Sequence, residues 1–556
     1  MTGPVDGYQK IVEIVDPDDA APADEASRAG DDAPPFSAAG AAGGDGKKPP
    51  VGGVGVDGME PDNARDEIDR LNREWSLVLM GSRAVVMRET PDAPIEDRTR
   101  VLSLDAFKAY LQNRRIRRER EVVDEKTGET VVKTTYQQVA PLWLSSHERR
   151  TYDGVEFFPD PDNRPGSKNY FNLWRGFDVK PAFDLPKKER LLKYSVFHDH
   201  LRVNICNGDE RVFEWMFGWL AHIVQRPRER LGIAIVLRGG EGWGKTIIGK
   251  VVGSLFGSHY FLVDDPRYLV GQFNAHMASC LLLQVDEGFW AGDKAAEGRL
   301  KGLITSDRQM IEAKGIDPIR LDNYVRLLFS SNEDWVVPVG LDGRRFVVLD
   351  VSPAQARNAV YFGELEKQMN EGGREALLAD LLTMDLDALN LRDPPKTRAL
   401  LEQKTRSLDS VTAWWYERLQ DGALTRRRTG WASEKGGEGY IAVDTLFDDY
   451  VHNAEKVGVR RKAEKTALGM RLTKLLKLDG VGLLRPCKRT MSVELPDGSS
   501  VMRRVPCYHV PDLATCRAAY EQAVGQSVEW LFDHDDRPPD DDDAGAGERG
   551  EIGDDF

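Results

Sequence analysis

The stretch LRGGEGWGKTIIGK, Leu237 to Lys250, places four glycines and one lysine within the eight residues Gly239 to Thr246. A β-branched apolar run precedes it and a helical run follows it, in LGIAIVLRGGEGWGKTIIGKVVGSLFG. Strand, glycine loop and helix are the context in which G-x-x-x-x-G-K-[ST] reads as a phosphate cradle. Glycine lets the backbone approach closely, so the N–H groups from Gly239, Gly240, Glu241, Gly242, Trp243 and Gly244 through Lys245, Thr246 and Ile247 can turn toward a nucleotide phosphate. The helix N-terminus adds a partial positive charge. Lys245 is expected to contact the β- and γ-phosphates of ATP, and Thr246 to bind Mg²⁺ through its hydroxyl.

Forty residues on, CLLLQVDEGFW offers a second buried strand ending in Asp286 and Glu287. Asp286 suits the metal's coordination shell and Glu287 the activation of the attacking water; a phosphotransferase acting on a bound substrate has no need of the second acid. A third strand, YVRLLFSSNEDW, ends in Asn332, an amide suited to hydrogen-bond the γ-phosphate and its water. Beyond it, LDGRRFVVLDV carries Arg344 and Arg345 between a turn and another strand. Arg345 is the expected finger toward a neighbouring subunit's γ-phosphate, with Arg344 in reserve; such a guanidinium accelerates hydrolysis by ~10³–10⁵ in other systems.

With these elements the chain resembles the superfamily 3 helicases, particularly the helicase half of bacteriophage and poxvirus-type primase-helicases. The resemblance spans roughly residues 140–520 and rests on GGEGWGKT, LLLQVDE, FSSN and DGRRF, with NLWRG and HIVQRP upstream. It implies an AAA+-like P-loop ATPase core with a parallel sheet, a hexameric ring of identical chains, and translocation on single-stranded or forked DNA. It also implies a hairpin between the acid pair and the Asn whose lysine touches DNA in the central channel. DRQMIEAKGIDPIRLDNY supplies one, with Lys314 at the tip and Lys301 as a second candidate. Many relatives carry a primase domain with paired metal-binding aspartates. Only about 75 expected structured residues precede the matching region here, so no primer synthesis is expected of this chain and a primase would be a separate protein.

Length and composition frame this reading. At 556 residues the chain holds several domains. The expected division is a disordered Ala/Gly/Pro-rich acidic segment over 1–70, a mixed α/β domain over 71–186, helices over 187–230, the ATPase core over 231–352, a helical segment over 353–400, a winged-helix-like domain over 401–525 and an acidic tail over 526–556. The cluster NRRIRRER is read as the end of a helix whose Arg114, Arg117 and Arg118 share a face. No run reaches the roughly 18 uncharged apolar residues of a spanning helix, and the five cysteines show no CxxC spacing. A reduced protein of the host cytoplasm, without structural zinc, is expected.

The net charge of −15 is carried by the ends: residues 1–60 hold 12 acidic against 4 basic side chains and residues 533–556 hold 11 against 2. Residues 456–504 are the reverse, 13 basic against 4 acidic. The helix-like AEKTALGMRLTKLLKL and the hairpin-like LLRPCKRTMSVELPDGSSVMRRVPCY suggest a DNA-binding wing, with Arg471, Lys474, Lys488, Arg489, Arg503 and Arg504 as phosphate contacts. The terminal EIGDDF is a candidate docking segment for a DNA polymerase, a separate primase or a single-strand-binding protein. The alternative to a helicase is a non-translocating AAA+-type replication initiator or loader that assembles on DNA through the basic domain.

Overall fold

The computed structural model describes residues 64–531 except 124–127, 129, 266–267, 270, 272–273, 287–293, 314–315, 342, 427–430, 432–438 and 495–499. Of the acidic tail expected over 526–556, residues 532–556 lie outside these residues, as does most of the segment expected to be disordered. The structure departs from the boundary expected at 526, because Val528 is buried in the C-terminal core and Trp530 packs against it. The helix Ala64–Glu74 crosses the boundary expected at residue 70, because Ile68 and Leu71 are buried in the N-terminal core.

Strands of largely apolar character build the centre of the described residues. The main sheet comprises β1 (Ala234–Arg238), β2 (Tyr260–Val263), β3 (Leu282–Asp286), β4 (Arg326–Ser331) and β5 (Phe346–Asp350). All neighbours run parallel, in the order β2-β3-β4-β1-β5. Both faces are covered, which is why no polar alternation shows in β1. Ile235 and Leu237 enter one apolar cluster with α1 (Glu210–Gln225), while Ala234 and Val236 enter another on the opposite face. Asp209 starts α1 by accepting hydrogen bonds from the N–H groups of Arg211 and Val212. Trp215, Met216, Trp219, Leu220, Ile223 and Val224 are all buried along it.

Between β3 and β4 the chain forms a helix, Lys294–Thr305, and then an antiparallel pair, Arg308–Ala313 with Ile316–Asp322. This is the expected hairpin, and its tip residues Lys314 and Gly315 lie outside the described residues. Its base sits beside the N-terminal ends of the strands: the Arg230 guanidinium, four residues before β1, donates to Asp307 at 3.1 Å and to the Ile304 carbonyl at 2.6 Å. Ser82, in the turn of the N-terminal sheet, donates to Asp317 on the same hairpin.

The arginine cluster differs from its expected helix. The helix stops at Tyr110, and Arg115–Val123 is a strand paired over nine rungs with Thr130–Gln138. Ile116 is buried while its neighbours Arg115 and Arg117 are exposed, the alternation of a strand. Arg114 pairs with the buried Glu67 and therefore shares no face with the other arginines. Pairing across a hairpin with the Val- and Thr-rich strand that follows overrides the helical preference.

In the C-terminal part, α4 (Ser410–Asp421), β6 (Tyr440–Ala442), α5 (Val443–Lys456), α6 (Lys465–Leu475), β7 (Arg485–Glu494), β8 (Ser500–His509) and α7 (Leu513–Val524) follow in order. The strands form one antiparallel sheet, β6-β8-β7. Its register sets Cys487 opposite Cys507, with the thiol sulfurs 3.3 Å apart. Sequence spacing does not reveal that proximity.

Two buried histidines tie stability to pH. Burial, with Arg326 beside it, lowers His222 to about 3. Burial likewise lowers His259 to about 4, and its Nε2 accepts from the Arg175 N–H at 3.0 Å. Both folded values lie below the unfolded value of about 6.5, so this stabilisation is complete above that pH and is lost as pH falls. At about pH 5 each histidine costs about 2 kcal/mol. The melting temperature is expected to fall steadily between about pH 6.5 and pH 5; a flat profile there would contradict the assignment.

Candidate nucleotide site

The chain leaves β1 at Arg238, turns through Gly239–Gly244 and enters α2 (Lys245–Gly253). Gly244 caps the helix at φ +88° and Gly242 stands at φ +77°, backbone conformations that a side chain rarely adopts. A Cβ on Gly244 would lie 2.6 Å from the His200 ring and 2.7 Å from Phe362. The Trp243 ring folds back over Gly239 and Gly240, where a Cβ would meet it at 2.6 and 2.7 Å.

At the centre of the loop the Lys245 ammonium is buried and donates to the Gly239 carbonyl, the Gly240 carbonyl and Asn332 Oδ1, each at 2.7 Å. The third bond spans 87 residues, and strand order makes it possible: β4 lies between β1 and β3, with Ser331 opposite Arg238 and Ser330 opposite Asp286. Thr246 Oγ1 donates to Asp286 Oδ2 at 3.0 Å. A hydroxyl and a carboxylate side by side are hard oxygen donors of the kind Mg²⁺ takes, completing its shell with water and phosphate oxygens. The residues fit that ion. Glu287, the expected base, directly follows Asp286 and lies outside the described residues.

Several residues that shape the site escaped the sequence reading. Gln284, fully buried in β3, donates to the Thr246 carbonyl at 3.2 Å and to Ser330 Oγ at 3.0 Å, and accepts from Tyr260 OH at 2.6 Å. It joins α2 to β2 and β4 beneath the loop. A Cβ on Gly249 would lie 2.0 Å from its Oε1, which explains the glycine inside α2. The polar residue within LLLQV was the available signal. His200 Nε2 donates to the Gly244 carbonyl at 3.2 Å, while Nδ1 accepts from Asn204 at 3.0 Å; burial lowers its pKa and keeps the ring neutral. A cleft of about 400 Å³ opens over the loop, lined among others by Trp243, Ile247, Asp286, Arg357, Ala359 and Phe362.

Arg344 and Arg345 are not at this end. The Arg345 carbonyl accepts from the Ala234 N–H at 2.8 Å, where β1 and β5 begin. Five residues of strand, about 16 Å, separate that edge from the loop. Lys301 is half-buried on the helix Lys294–Thr305.

The six C-terminal cations do not form one surface. Arg471 is engaged internally, donating to Thr412 Oγ1 at 3.1 Å and pairing with Asp409, the cap of α4. The Arg489 guanidinium lies 3.6 Å from the centre of the Tyr440 ring. Lys488 opposite Pro506 and Arg504 opposite Thr490 share one face of the hairpin, whereas Arg489 opposite Val505 and Arg503 opposite Met491 share the other. Lys474, Lys488, Arg489, Arg503 and Arg504 are all exposed.

Residues 237–345 match a family described as a family of unknown function (DUF5906). Over 328 residues the chain is 23% identical to the DNA Primase-polymerase of Nitratiruptor phage NrS-1, a match covering 58% of this chain and 42% of that protein. The chain thus spans well under half the length of this curated relative. The apo structure of the NrS-1 C-terminal region, residues 305–718, superposes with a TM-score of 0.53 at 15% identity, covering 81% of this chain and 100% of that one. A second apo form of that region gives 0.53 at 14% identity, covering 80% and 98%. The chain shares the fold of that region, a mixed α/β architecture around a parallel sheet. Among the described residues no helix is long and apolar enough to cross a membrane.

The glycine geometry generates a paired prediction. Gly244→Ala places a methyl group against His200 and Phe362 at positive φ and is expected to cost about 1–3 kcal/mol. Gly298→Ala, at an exposed helical position with nothing within 4 Å, is expected to be neutral or stabilising by up to about 1 kcal/mol. Chemical denaturation of both variants checks the contrast; equal losses would contradict it.

Proposed function

We propose that the chain is an ATP-dependent DNA helicase motor of the superfamily 3, AAA+-like kind, acting in phage or mobile-element DNA replication within the bacterial host cytoplasm. The observation that carries the reading is the convergence of Lys245, Thr246, Asp286 and Asn332 at one edge of a parallel sheet while Arg344 and Arg345 stand at the other. A chain so built holds a nucleotide but cannot bring its own arginine pair to it; a neighbouring copy can. The likeness to the C-terminal region of a phage primase-polymerase supports the replication context. Because that likeness falls on the C-terminal region, the reading assigns no primer synthesis to residues 64–531.

In this reading Lys245 exchanges its carbonyl partners for the β- and γ-phosphates; Thr246 and Asp286 would hold Mg²⁺, which when bound would supply charge neutralisation at the phosphate oxygens. Asn332 orients the water, Glu287 takes its proton, and water oxygen bonds to the γ-phosphorus as the bond to the β–γ bridging oxygen breaks. ADP and phosphate leave. Arg345 of the adjoining subunit, with Arg344 beside it, steadies the charge spread over the transferring group. Around a hexameric ring, the Lys314 hairpins grip the backbone of one DNA strand without reading sequence. The exposed cations of α6 and the β7–β8 wing, Lys474, Lys488, Arg489, Arg503 and Arg504, contact the flanking duplex. The acidic tail is left for a polymerase, a separate primase or a single-strand-binding protein.

Lys245→Ala is expected to abolish turnover, and Arg345→Ala alone to lower it by ~10³ or more. Mixing the two variants is expected to restore part of the DNA-stimulated ATP hydrolysis, because one interface per mixed pair then carries an intact lysine and an intact arginine. Absence of rescue in a mixed ring would remove the Arg345 assignment. Absence of strand displacement from a forked duplex by the unaltered protein, with ATP hydrolysis intact, would favour the initiator or loader.

A further inference from the structure

The wall facing the glycine loop is built from the chain that follows β5, and it carries a cation with no part in the scheme above. This connector is fastened at its start: the Val351 N–H donates to the Arg238 carbonyl at 2.8 Å and the Ser352 N–H to the Asn204 carbonyl at 2.7 Å. Arg357 then adopts φ +55°, the left-handed region that long side chains rarely enter. Such outliers persist only where the surroundings hold them, and they cluster at ligand clamps. Here the holding contact is to the loop itself, since the Arg357 N–H donates to the Gly242 carbonyl at 2.9 Å. Next in the chain, Asn358 caps α3 (Ala359–Gln368) by accepting from the Tyr361 N–H at 3.1 Å. Arg357, Ala359 and Phe362 all line the cleft over the loop.

The Arg357 guanidinium pairs with Glu241 at 3.3 Å, and the two side chains are 75% and 78% exposed. An exposed pair of this kind holds weakly. A phosphate chain entering the cleft presents more charge than one carboxylate and matches the planar fork of a guanidinium. We infer that Arg357 is a phosphate-binding residue of the same chain's nucleotide site, exchanging Glu241 for the nucleotide's phosphates and closing the cleft from the wall opposite Lys245. The inference rests on the nucleotide reading proposed above. It differs from that of Arg345 in direction: Arg345 serves a neighbour, Arg357 its own chain.

The test is equilibrium titration of the full-length protein with an ATP analogue bearing a fluorophore on its ribose. Arg357→Ala is expected to weaken binding by about ten- to a hundredfold, the range for a lost hydrogen bond to a charged group, and Arg357→Lys to recover part of the loss. Glu241→Gln, which removes the competing carboxylate, is expected to tighten binding. A mixture of Arg357→Ala with Lys245→Ala is expected to show no rescue of hydrolysis, because both lesions spoil the site of their own chain. Wild-type affinity in both Arg357→Ala and Glu241→Gln, with binding lost in Lys245→Ala, overturns the role of Arg357 and leaves the site standing. If Arg357→Ala fails to fold, Glu241→Gln decides alone: tighter binding supports the inference and unchanged binding overturns it. Failure of the unaltered protein to bind the analogue overturns both readings.

Discussion

A buried ammonium group tolerates no missing partner, and the nucleotide end of this molecule is organised around one. Removing Lys245 from water without compensation would cost several kcal/mol. Its three N–H bonds are met by two carbonyls of the loop and the amide of Asn332. The first two require the backbone to curl back on itself within six residues, which needs glycines at positive φ. The third requires the end of β4 to stand beside the end of β1, which a sheet in simple sequential order would not provide. One side chain therefore constrains both the local turn and the long-range order β2-β3-β4-β1-β5.

Two polar anchors keep that end from shifting. Gln284 holds α2 to the strands from below. Arg238, the last residue of β1, donates to both oxygens of Asp350 at 2.6 and 2.9 Å and to Glu402 at 2.5 Å, so that β1 and β5 end at a common clamp. The hydrogen bonds to Asp350 raise its pKa further and keep it charged. The loop stands on a fixed stem, and the wall facing it is fastened at Val351, Ser352 and Arg357.

Features set by adjacent residues were legible in the sequence. The loop lies between a strand and a helix as LGIAIVLRGGEGWGKTIIGK indicates, and the two strands flanking Lys314-Gly315 pair as a hairpin. Features set by register were not. The arginine cluster at 114–120 has charge and spacing that suit a helix equally well, and only its pairing with 130–138 makes it a strand. Cys487 and Cys507 are neighbours because of a ten-rung ladder. Arg471 looks like a free cation until α4 brings Asp409 to it. A glutamine inside the apolar run LLLQV hints at a buried role for Gln284, whereas His200 and Arg357 stand far from the loop in sequence and nothing in their local context announces the contact. A single chain shows composition and period; it does not show which distant carbonyl a side chain will find.

The hairpin over 308–322 hangs outside the ladder of the main sheet: its strands pair with each other, and its base rests near Arg230 at the edge away from the loop. Changing its length or its tip disturbs no rung that carries Asp286, Asn332 or Lys245. With Ile311 and Leu321 kept in the core beside the sheet, natural variation can refit the rest of the hairpin as an interchangeable tool while the engine behind it stays untouched.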